Sequence, residues 1–148
     1  MVEKVTIPSI IIEELRRRGL DPEDVILDAL IRVMDLDPDT VIEARVELAI
    51  KYLNEGRELI DKDPVQASEK LYKAAEECVK VLAQYYDLKD ILTKVNGRGR
   101  WTVTELEKAV EKNKRKTRRM VHNGLGRRKL PPRVGIPRRK TRPRSRKD

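Results

Sequence analysis

The sequence predicts an all-α protein: an up-down helical bundle built on a long antiparallel helix hairpin, with a disordered basic C-terminal tail. Three observations favour this class. Apolar residues recur at helical spacing through 38–61 and 63–86, which only a very short connection separates. Asp-Pro pairs at Asp21, Asp37 and Asp63 divide the first half of the chain. No segment shows the strict alternation of apolar and polar residues that a strand requires.

Each Asp-Pro pair is typical of a helix start. An Asp at the N-cap accepts backbone N–H bonds, and a proline at the first helical position loses no hydrogen bond. The first helix is predicted at roughly Pro8–Arg18 and ends at Gly19. The second follows Asp21, so that residues 8–34 form two shorter helices.

The two helices of the hairpin each carry an apolar stripe at the period of a helix. In the first helix the stripe consists of Val41, Ile42, Leu48, Ala49, Tyr52, Leu53, Leu59 and Ile60. In the second it consists of Leu71, Tyr72, Ala75, Cys78, Val79, Leu82, Tyr85 and Tyr86. The stripes are predicted to form the core, which would make Cys78 a buried and inert thiol.

The segment after the hairpin is predicted to be a loop over residues 87–100, with a flexible basic turn at its end. Thr102 and Glu105 have the spacing of a capping box, and Trp101 is predicted to close it as a hydrophobic staple. A last helix is therefore predicted from 102 to about 115. The organisation is N-terminal short helices, a helical bundle and a basic low-complexity tail, over residues 1–36, 37–112 and 113–148.

The charge of the chain changes sharply at Glu111. Residues 1–110 contain 17 Lys/Arg against 23 Asp/Glu, whereas residues 111–148 contain 17 against 2. Such a tail would neutralise phosphates and give salt-dependent nucleic-acid binding, and would be disordered when alone. The candidates for contact with RNA or DNA are Arg98, Arg100, Arg127, Arg128, Lys129, Arg138, Arg139 and Lys140.

Several classes of function are disfavoured by composition. The single Cys78 excludes intramolecular disulfides and Cys-based zinc sites, and the single His122 makes multi-His metal sites difficult to assemble. We expect no metal, no cofactor and no catalytic residues. No apolar run approaches the length of a membrane span, and we expect a cytoplasmic protein. The high Lys, Glu and Arg content is typical of a thermophile.

The densest polar stretch is Gln66–Glu77. Ser68, Lys70, Lys73 and Glu77 could line a groove for a phosphate-bearing ligand. The alternative interpretation is a solvated helix face with ion pairs, which is the usual role of such faces. Gly97–Arg100 could also contact phosphates, but it lacks the flanking residues of a Walker loop.

Residues 44–56 and 63–77 together resemble the archaeal PaREP family, which belongs to the HEPN-like group of helical bundles. The resemblance covers about residues 5–112 and is most specific at Gln66–Glu77. It implies an up-down helical bundle and little biochemistry. By analogy with HEPN-like proteins we expect a non-catalytic helical interaction module with nucleotide or RNA association. We expect its partner to be a second copy, in a homodimer, or a helical protein. The alternative is a HEPN-type ribonuclease or toxin–antitoxin component, although Arg115 and His122 match the arginine-to-histidine motif of such enzymes poorly.

The resemblance is expected to stop after Lys112, because family members continue into an aromatic-rich helix and this chain becomes rich in Arg, Pro and Gly. Met120 must be encoded by ATG and the codon of Val121 must begin with GT, so the reading frame one base later contains TGG, the codon of Trp. Codons permitted for the surrounding residues encode an amphipathic, aromatic helix in that same frame. We therefore interpret residues 113–148 as the product of a single-base frameshift near Lys112–Asn113. The bundle would then lack its closing helix, and an apolar strip of the hairpin would be exposed, so that the chain should associate or be unstable. The rival interpretation is a genuine basic arm that binds nucleic acid.

Overall fold

The computed structural model describes residues 2–123, and in this part of the chain all regular structure is helical. The all-α prediction is confirmed. The helices are α1 (Ser9–Arg17), α2 (Pro22–Met34), α3 (Pro38–Leu59), α4 (Pro64–Tyr85), α5 (Lys89–Arg98) and α6 (Val103–His122). Helices α3 and α4 make the most extensive helix pair, which confirms the hairpin as the centre of the fold.

The Asp-Pro pairs begin helices as predicted, but their Asp side chains form different hydrogen bonds. Asp37 accepts the backbone N–H of Thr40 at 2.8 Å, and Asp63 accepts that of Gln66 at 3.1 Å. Asp21 occupies the N-cap position of α2 without a capping bond. Its carboxylate instead bonds to side chains of the hairpin, so this start signal also serves a long-range contact.

The two helices of the hairpin approach closely because small residues lie between them. Ala49, Ala67 and Ala74 are buried there. At Gly56 an added Cβ would lie 2.9 Å from the side chain of Leu71 and 3.3 Å from the backbone oxygen of Ala67. Gly56 is therefore required by the close approach of the helices.

Residues 87–100 are not a loop, and this prediction was wrong. Helix α5 occupies most of the segment and ends at Gly99, which adopts a left-handed conformation with φ of 79°. Ile91 and Val95 lie one turn apart on its buried face. The apolar contacts of these two side chains outweigh the low helix propensity of Gly97.

A second apolar core lies where the end of α4 meets α5 and α6. It contains Ala83, Leu88, Ile91, Val95 and Ala109, with Val79, Tyr86 and Trp101 packed around it. This core holds α6 against the hairpin.

The start of α6 differs from the predicted capping box. Thr102 is at the N-cap but makes no capping bond. The carboxylate of Glu105 is buried and accepts a hydrogen bond from Arg98 at 3.0 Å instead. Because the last turn of α5 is helical, Arg98 lies within hydrogen-bonding distance of Glu105. The ion pair between Arg98 and Glu105 replaces the predicted capping box.

Helix α6 is longer than predicted and continues to His122. Residues 113–122 therefore belong to a helix rather than to the tail. Asn113 is buried and its side-chain amide donates to the backbone oxygen of Val79 at 3.1 Å, which ties the middle of α6 to α4. The predicted disorder of residues 124–148 lies outside the described residues.

Candidate functional site

Helix α2 is attached to the hairpin through buried charges. We call Asp24, Asp28, Arg45, Glu77 and Lys80 the charged cluster. Arg45 donates to Asp28 at 2.6 Å and to Glu77 at 3.0 Å. Lys80 donates to Asp24 at 2.7 Å and to Glu77 at 2.9 Å. Arg45, Glu77 and Lys80 are 4%, 2% and 1% exposed, so these contacts are made almost without water.

The charged cluster contains three carboxyl groups and two cations. Burial raises the pKa of Glu77 to about 6, and the carboxyl of Asp24 adds to the increase, although Lys80 and Arg45 oppose it. Burial also raises the pKa of Asp28 against the effect of Arg45. The pKa of Asp24 is lowered, because Lys80 and a hydrogen bond with Glu77 outweigh its burial. Glu77 and Asp28 therefore hold a proton more readily than ordinary carboxyl groups, and Asp24 holds one less readily.

A second polar group lies beside the first, around the ring of Tyr52. The Tyr52 hydroxyl donates to Asp21 at 2.9 Å, and Lys73 donates to the other oxygen of Asp21 at 3.0 Å. The ammonium groups of Lys51, Lys70 and Lys73 lie 5.3–5.8 Å from the centre of the ring, within the range of cation–π attraction. Burial and the surrounding carboxylates, first among them Asp21, raise the pKa of Tyr52 far above its ordinary value.

An open cleft of about 930 Å³ lies between the N-terminal segment, α2 and this face of α4. Its basic side chains are Arg16, Lys70 and Lys73, and its acidic side chains are Asp21, Glu23 and Glu69. Lys73 is bound to Asp21, and Lys70 lies 2.7 Å from a carboxylate oxygen of Glu55. The lysines are neutralised by protein carboxylates, which would compete with a phosphate for them.

The four predicted ligand-binding residues are not brought together. Lys70 and Lys73 line the cleft beside Tyr52, whereas Glu77 is buried in the charged cluster. Ser68 is exposed and is not among the residues that line the cleft. Lys73 binds Asp21, 52 residues away along the chain, and Glu77 binds Arg45, 32 residues away, and no local pattern reveals these partners.

The outward side of α4 is apolar, and the prediction that its stripe forms the core was wrong in part. Tyr72 and Tyr85 are 66% and 47% exposed, and Leu82 is 37% exposed. Cys78 is also exposed rather than buried. The side of α4 that packs against α2 carries Glu77 and Lys80 instead, so the helix buries charges and exposes part of its apolar stripe.

A shallow groove borders this side between α4 and α6. Val79 and Leu82 of α4 and Val110 of α6 form its apolar part, and Lys114 and Arg118 form its rim. Buried Asn113 also lines the groove, and its side-chain oxygen has no hydrogen-bond partner among the described residues. The groove extends the apolar side of the hairpin onto α6.

The second half of α6 is strongly basic. It carries six cations and no carboxylate after Glu111, namely Lys112, Lys114, Arg115, Lys116, Arg118 and Arg119. Lys112 pairs with Asp90, and Arg115 pairs with Glu111. The sequence showed the change in charge at Glu111. The helix that contains these basic residues was predicted to end near residue 115. The basic helix is thus the described part of the predicted tail.

The other nucleic-acid candidates have mixed outcomes. Both Arg98 and Arg100 are exposed, and Arg98 is also bound to Glu105. Arg127, Arg128, Lys129, Arg138, Arg139 and Lys140 lie outside the described residues. Arg115 and His122, the poor match to a ribonuclease motif, are both exposed on one helix two turns apart.

Two further searches bear on the class of site. Within residues 2–123, no three or more His, Cys, Asp and Glu side chains are grouped so that they could hold a metal ion. Over the same residues, no helix combines the length and the apolar character needed to cross a bilayer.

The fold and these sites define an all-α bundle whose central hairpin has one charged, covered side and one apolar, open side. The chain belongs to the archaeal PaREP1/PaREP8 family, whose model matches residues 44–126. A search of curated proteins and a search of solved structures gave no match.

The family match confirms the resemblance but differs in extent from the range expected. It begins within α3, so α1 and α2 lie outside it, and it continues past Lys112 through the end of α6. The frameshift stays a prediction, because most of the residues concerned lie outside those described. Sequencing the coding DNA across codons 108–148 tests it.

Proposed function

We propose that the chain is a non-catalytic helical interaction module that binds a helical protein through the apolar side of α4 and α6. The exposure of Leu82 and Tyr85 on a long, well-supported helix carries the proposal. Contiguous apolar side chains on a folded surface mark interaction sites more often than chemistry. By analogy with HEPN-like proteins, the proposal includes association with a nucleotide or RNA.

The location of the polar side chains supports binding rather than catalysis. Glu77, Lys80 and Arg45 hold one another in ion pairs at 2.9–3.0 Å. A general base or acid must reach a substrate proton, and groups held in this way do not. Lys70 and Lys73 are likewise bound to carboxylates.

Substitution on the apolar side tests the module. We expect Leu82→Glu to abolish association of the purified protein with its helical partner. Its helix content, followed by circular dichroism, should be unchanged. Val33→Glu on α2 is the matched control, since Val33 is 82% exposed and is not among the residues that line the groove between α4 and α6. Equal behaviour of the two variants would count against the proposal.

The ribonuclease alternative predicts a different result. Purified protein would degrade total RNA, and His122→Ala would remove the activity. We expect no cleavage by either protein. Cleavage lost in the variant would replace the binding module with an enzyme.

A second candidate function is non-specific nucleic-acid binding by the basic half of α6 together with the tail. The six cations between Lys112 and Arg119 favour it. Each phosphate contact contributes about 0.9 to the slope of log affinity against log salt on duplex DNA. Replacing Lys114, Lys116 and Arg119 by Ala would therefore lower that slope by up to about 3. An unchanged slope would exclude α6 from the interface.

A further inference from the structure

Helix α2 carries an acidic face that binds the hairpin through ion pairs. Four carboxylates each bind a different cation at 2.6–3.0 Å: Asp28 with Arg45, Glu23 with Lys51, Asp21 with Lys73 and Asp24 with Lys80. Positions 21, 24 and 28 are three and four residues apart, so these three carboxylates lie on one side of the helix. We call residues 2–34 the arm, and the four cations the arm-binding face.

Apolar burial contributes little to the docking of the arm. Helix α1 contains no buried residue, and Asp28 is the only buried residue of α2. Leu30, Val33 and Met34 are exposed, and the other large apolar side chains of α2 are only partly buried. The closest helix partner of α2 is α1, whereas α3 and α4 pair closely with each other. Because apolar burial is the main favourable contribution to helix packing, the arm is packed less firmly than the hairpin.

Cavities border α2 on both sides. The cleft of about 930 Å³ lies between α2 and α4, and a second cavity of about 670 Å³ lies between the N-terminal segment, α2 and α3. Glu23 and Ile26 line both cavities. Closely packed interiors contain few voids larger than a water molecule, so α2 spans its groove without filling it.

The ion pairs fix the position of the arm but add little to the net free energy of its docking. Removing charges from water costs about as much as their attraction returns, and water solvates both partners again when the arm leaves. Loss of one partner is more harmful while the arm stays in place, because the remaining charge is then buried alone. The arm is therefore a specific but displaceable occupant of the arm-binding face.

The connection between α2 and α3 can serve as a hinge. Asp35 follows α2 directly, is exposed, and adopts a left-handed conformation with φ of 47°. Residues other than glycine rarely adopt this conformation, and hinge motions are absorbed by a few loop residues of this kind. Rotation at Asp35 would move the arm as a unit and leave α3 in place. The family match begins at residue 44 and includes neither the arm nor the hinge.

We propose that the arm-binding face is a docking surface for an acidic amphipathic helix of a partner protein, which the arm uncovers by turning about Asp35. This surface lies on the side of the hairpin away from the apolar side of α4, so the proposal goes beyond the function proposed above. The arm shows what the surface accepts, namely carboxylates three and four residues apart along one helix. A partner helix with the same pattern would make the same ion pairs in the same groove.

The charges around the arm-binding face favour a helix over a nucleic acid. Glu55 and Glu77 lie among the cations and bind Lys51, Lys70 and Arg45. These carboxylates would repel a phosphate backbone, which binds surfaces rich in Lys and Arg. Separate carboxylates on a helix can instead reach the four cations one by one, as those of α2 do.

Hydrogen exchange of the full chain tests whether the arm opens. We expect the amides of α1 and α2 to exchange together, through an opening that leaves α3 and α4 protected. Asp24→Asn should speed exchange of the arm by about 10-fold or more and leave that of α3 and α4 unchanged. Asp39→Asn, at an exposed position of α3, is the matched control and should change neither. If α2 of the wild type exchanged no faster than α4, the arm would be a fixed part of the core and the proposal would be wrong.

A fluorescent peptide of residues 20–36 provides the acidic helix, and its binding to the full chain is followed by anisotropy. The docked arm occupies the same surface, so the apparent affinity for the peptide falls with the fraction of protein in which the arm is open. We expect Glu23→Gln combined with Asp24→Asn in the protein to tighten peptide binding by about 10-fold or more. A control peptide in which Asn replaces the aspartates at 21, 24 and 28 should not bind.

The outcomes separate the possible occupants. Equal affinity of wild type and double variant, or equal binding of the acidic and control peptides, would overturn the docking surface. If a short RNA duplex bound the double variant and the acidic peptide did not, the helical partner would be wrong. If circular dichroism showed that the double variant does not fold, Glu23→Gln alone would take its place, because the side chain of Glu23 is partly exposed.

Discussion

The two sides of the α3–α4 hairpin are organised in opposite ways. The side covered by α2 contains Arg45, Glu77 and Lys80, all nearly inaccessible to water. The uncovered side presents Cys78, Leu82 and Tyr85. A hairpin that followed hydrophobicity alone would have the reverse arrangement. The comparison indicates that α2 is held by specific hydrogen-bond geometry, whereas the open side leaves apolar side chains exposed.

Buried charges and apolar contacts differ in what their loss costs. A buried ion pair contributes modestly relative to a well-packed apolar group, but removal of one partner leaves an uncompensated charge. Apolar burial is additive and roughly proportional to area. The covered side should therefore be intolerant of single substitutions, and the open side should tolerate them in the isolated chain.

The largest expected effect comes from removing the cation at the centre of the charged cluster. Arg45→Ala leaves Asp28 and Glu77 buried without their partner, and breaking such a contact costs about 3–5 kcal/mol. Urea denaturation followed by circular dichroism measures the free energy of unfolding. Arg57→Ala, an exposed position of the same helix, is the control and should change it little.

The same comparison can be sharpened by replacing the whole group. Arg45→Met with Asp28→Leu and Glu77→Leu removes all three charges of that contact and should be much less harmful than Arg45→Ala alone. If the triple variant were less stable than Arg45→Ala, the three charges would contribute more to the attachment of α2 than the neutralisation of one another.

A smaller effect is expected from pH. Because the pKa of Glu77 in the fold, about 6, is above its ordinary value of 4.5, the folded state binds more protons between these values than the unfolded state does. The contribution is fully present below about pH 4.5 and is lost as pH rises through 6, with a size of about 2 kcal/mol. Burial raises the pKa of Asp28 and Glu76 and adds to the same trend, while Asp24 and Glu55, whose pKa values are lowered, act only in more acidic solution.

The measurement is the free energy of unfolding at pH 5 and pH 7 for wild type and Glu77→Gln. We expect wild type to be less stable at pH 7 and the difference to shrink in the variant. Glu58→Gln, exposed on α3, should retain the wild-type difference. A wild-type protein more stable at pH 7 would contradict the assignment to Glu77.

Local signals in the sequence predicted most of the fold but not the use of its surfaces. Asp37 and Asp63 cap helices through residues three positions on, which is why those starts were predictable. Periodicity located the apolar stripe of α4 but not which of its members are exposed, so Cys78 was wrongly predicted to be buried. A local pattern identifies the apolar face of a helix but does not specify which other element packs against that face.

The charged cluster was not predicted for the same reason, although Glu77 was named as a candidate residue. Glu77 and Lys80 have the local pattern of a solvated helix face, and their ion pairs join them to Arg45 and Asp24, 32 and 56 residues away. No local pattern in the sequence indicates which residues pair across such separations along the chain. Helix α5 was missed because Gly97 and Gly99 suggest a loop, whereas burial of Ile91 and Val95 decides the structure.

The spacing of the two hairpin helices sets the width of both sides, and Gly56 tests it with the smallest expected effect. An added methyl group would lie 2.9 Å from Leu71 and 3.3 Å from the backbone oxygen of Ala67, so the helices must separate slightly. Such overpacking costs about 1–3 kcal/mol, against about 1 kcal/mol gained from the better helix propensity of alanine. We therefore expect Gly56→Ala to lower the free energy of unfolding by about 1 kcal/mol. Gly97→Ala in α5 is the matched control, because nothing lies within 4 Å of the added Cβ, and it should stabilise the protein by about 0.5–1 kcal/mol. Equal stabilisation by both substitutions would show that Leu71 moves aside without cost and that the contact between α3 and α4 is more adaptable than its packing indicates.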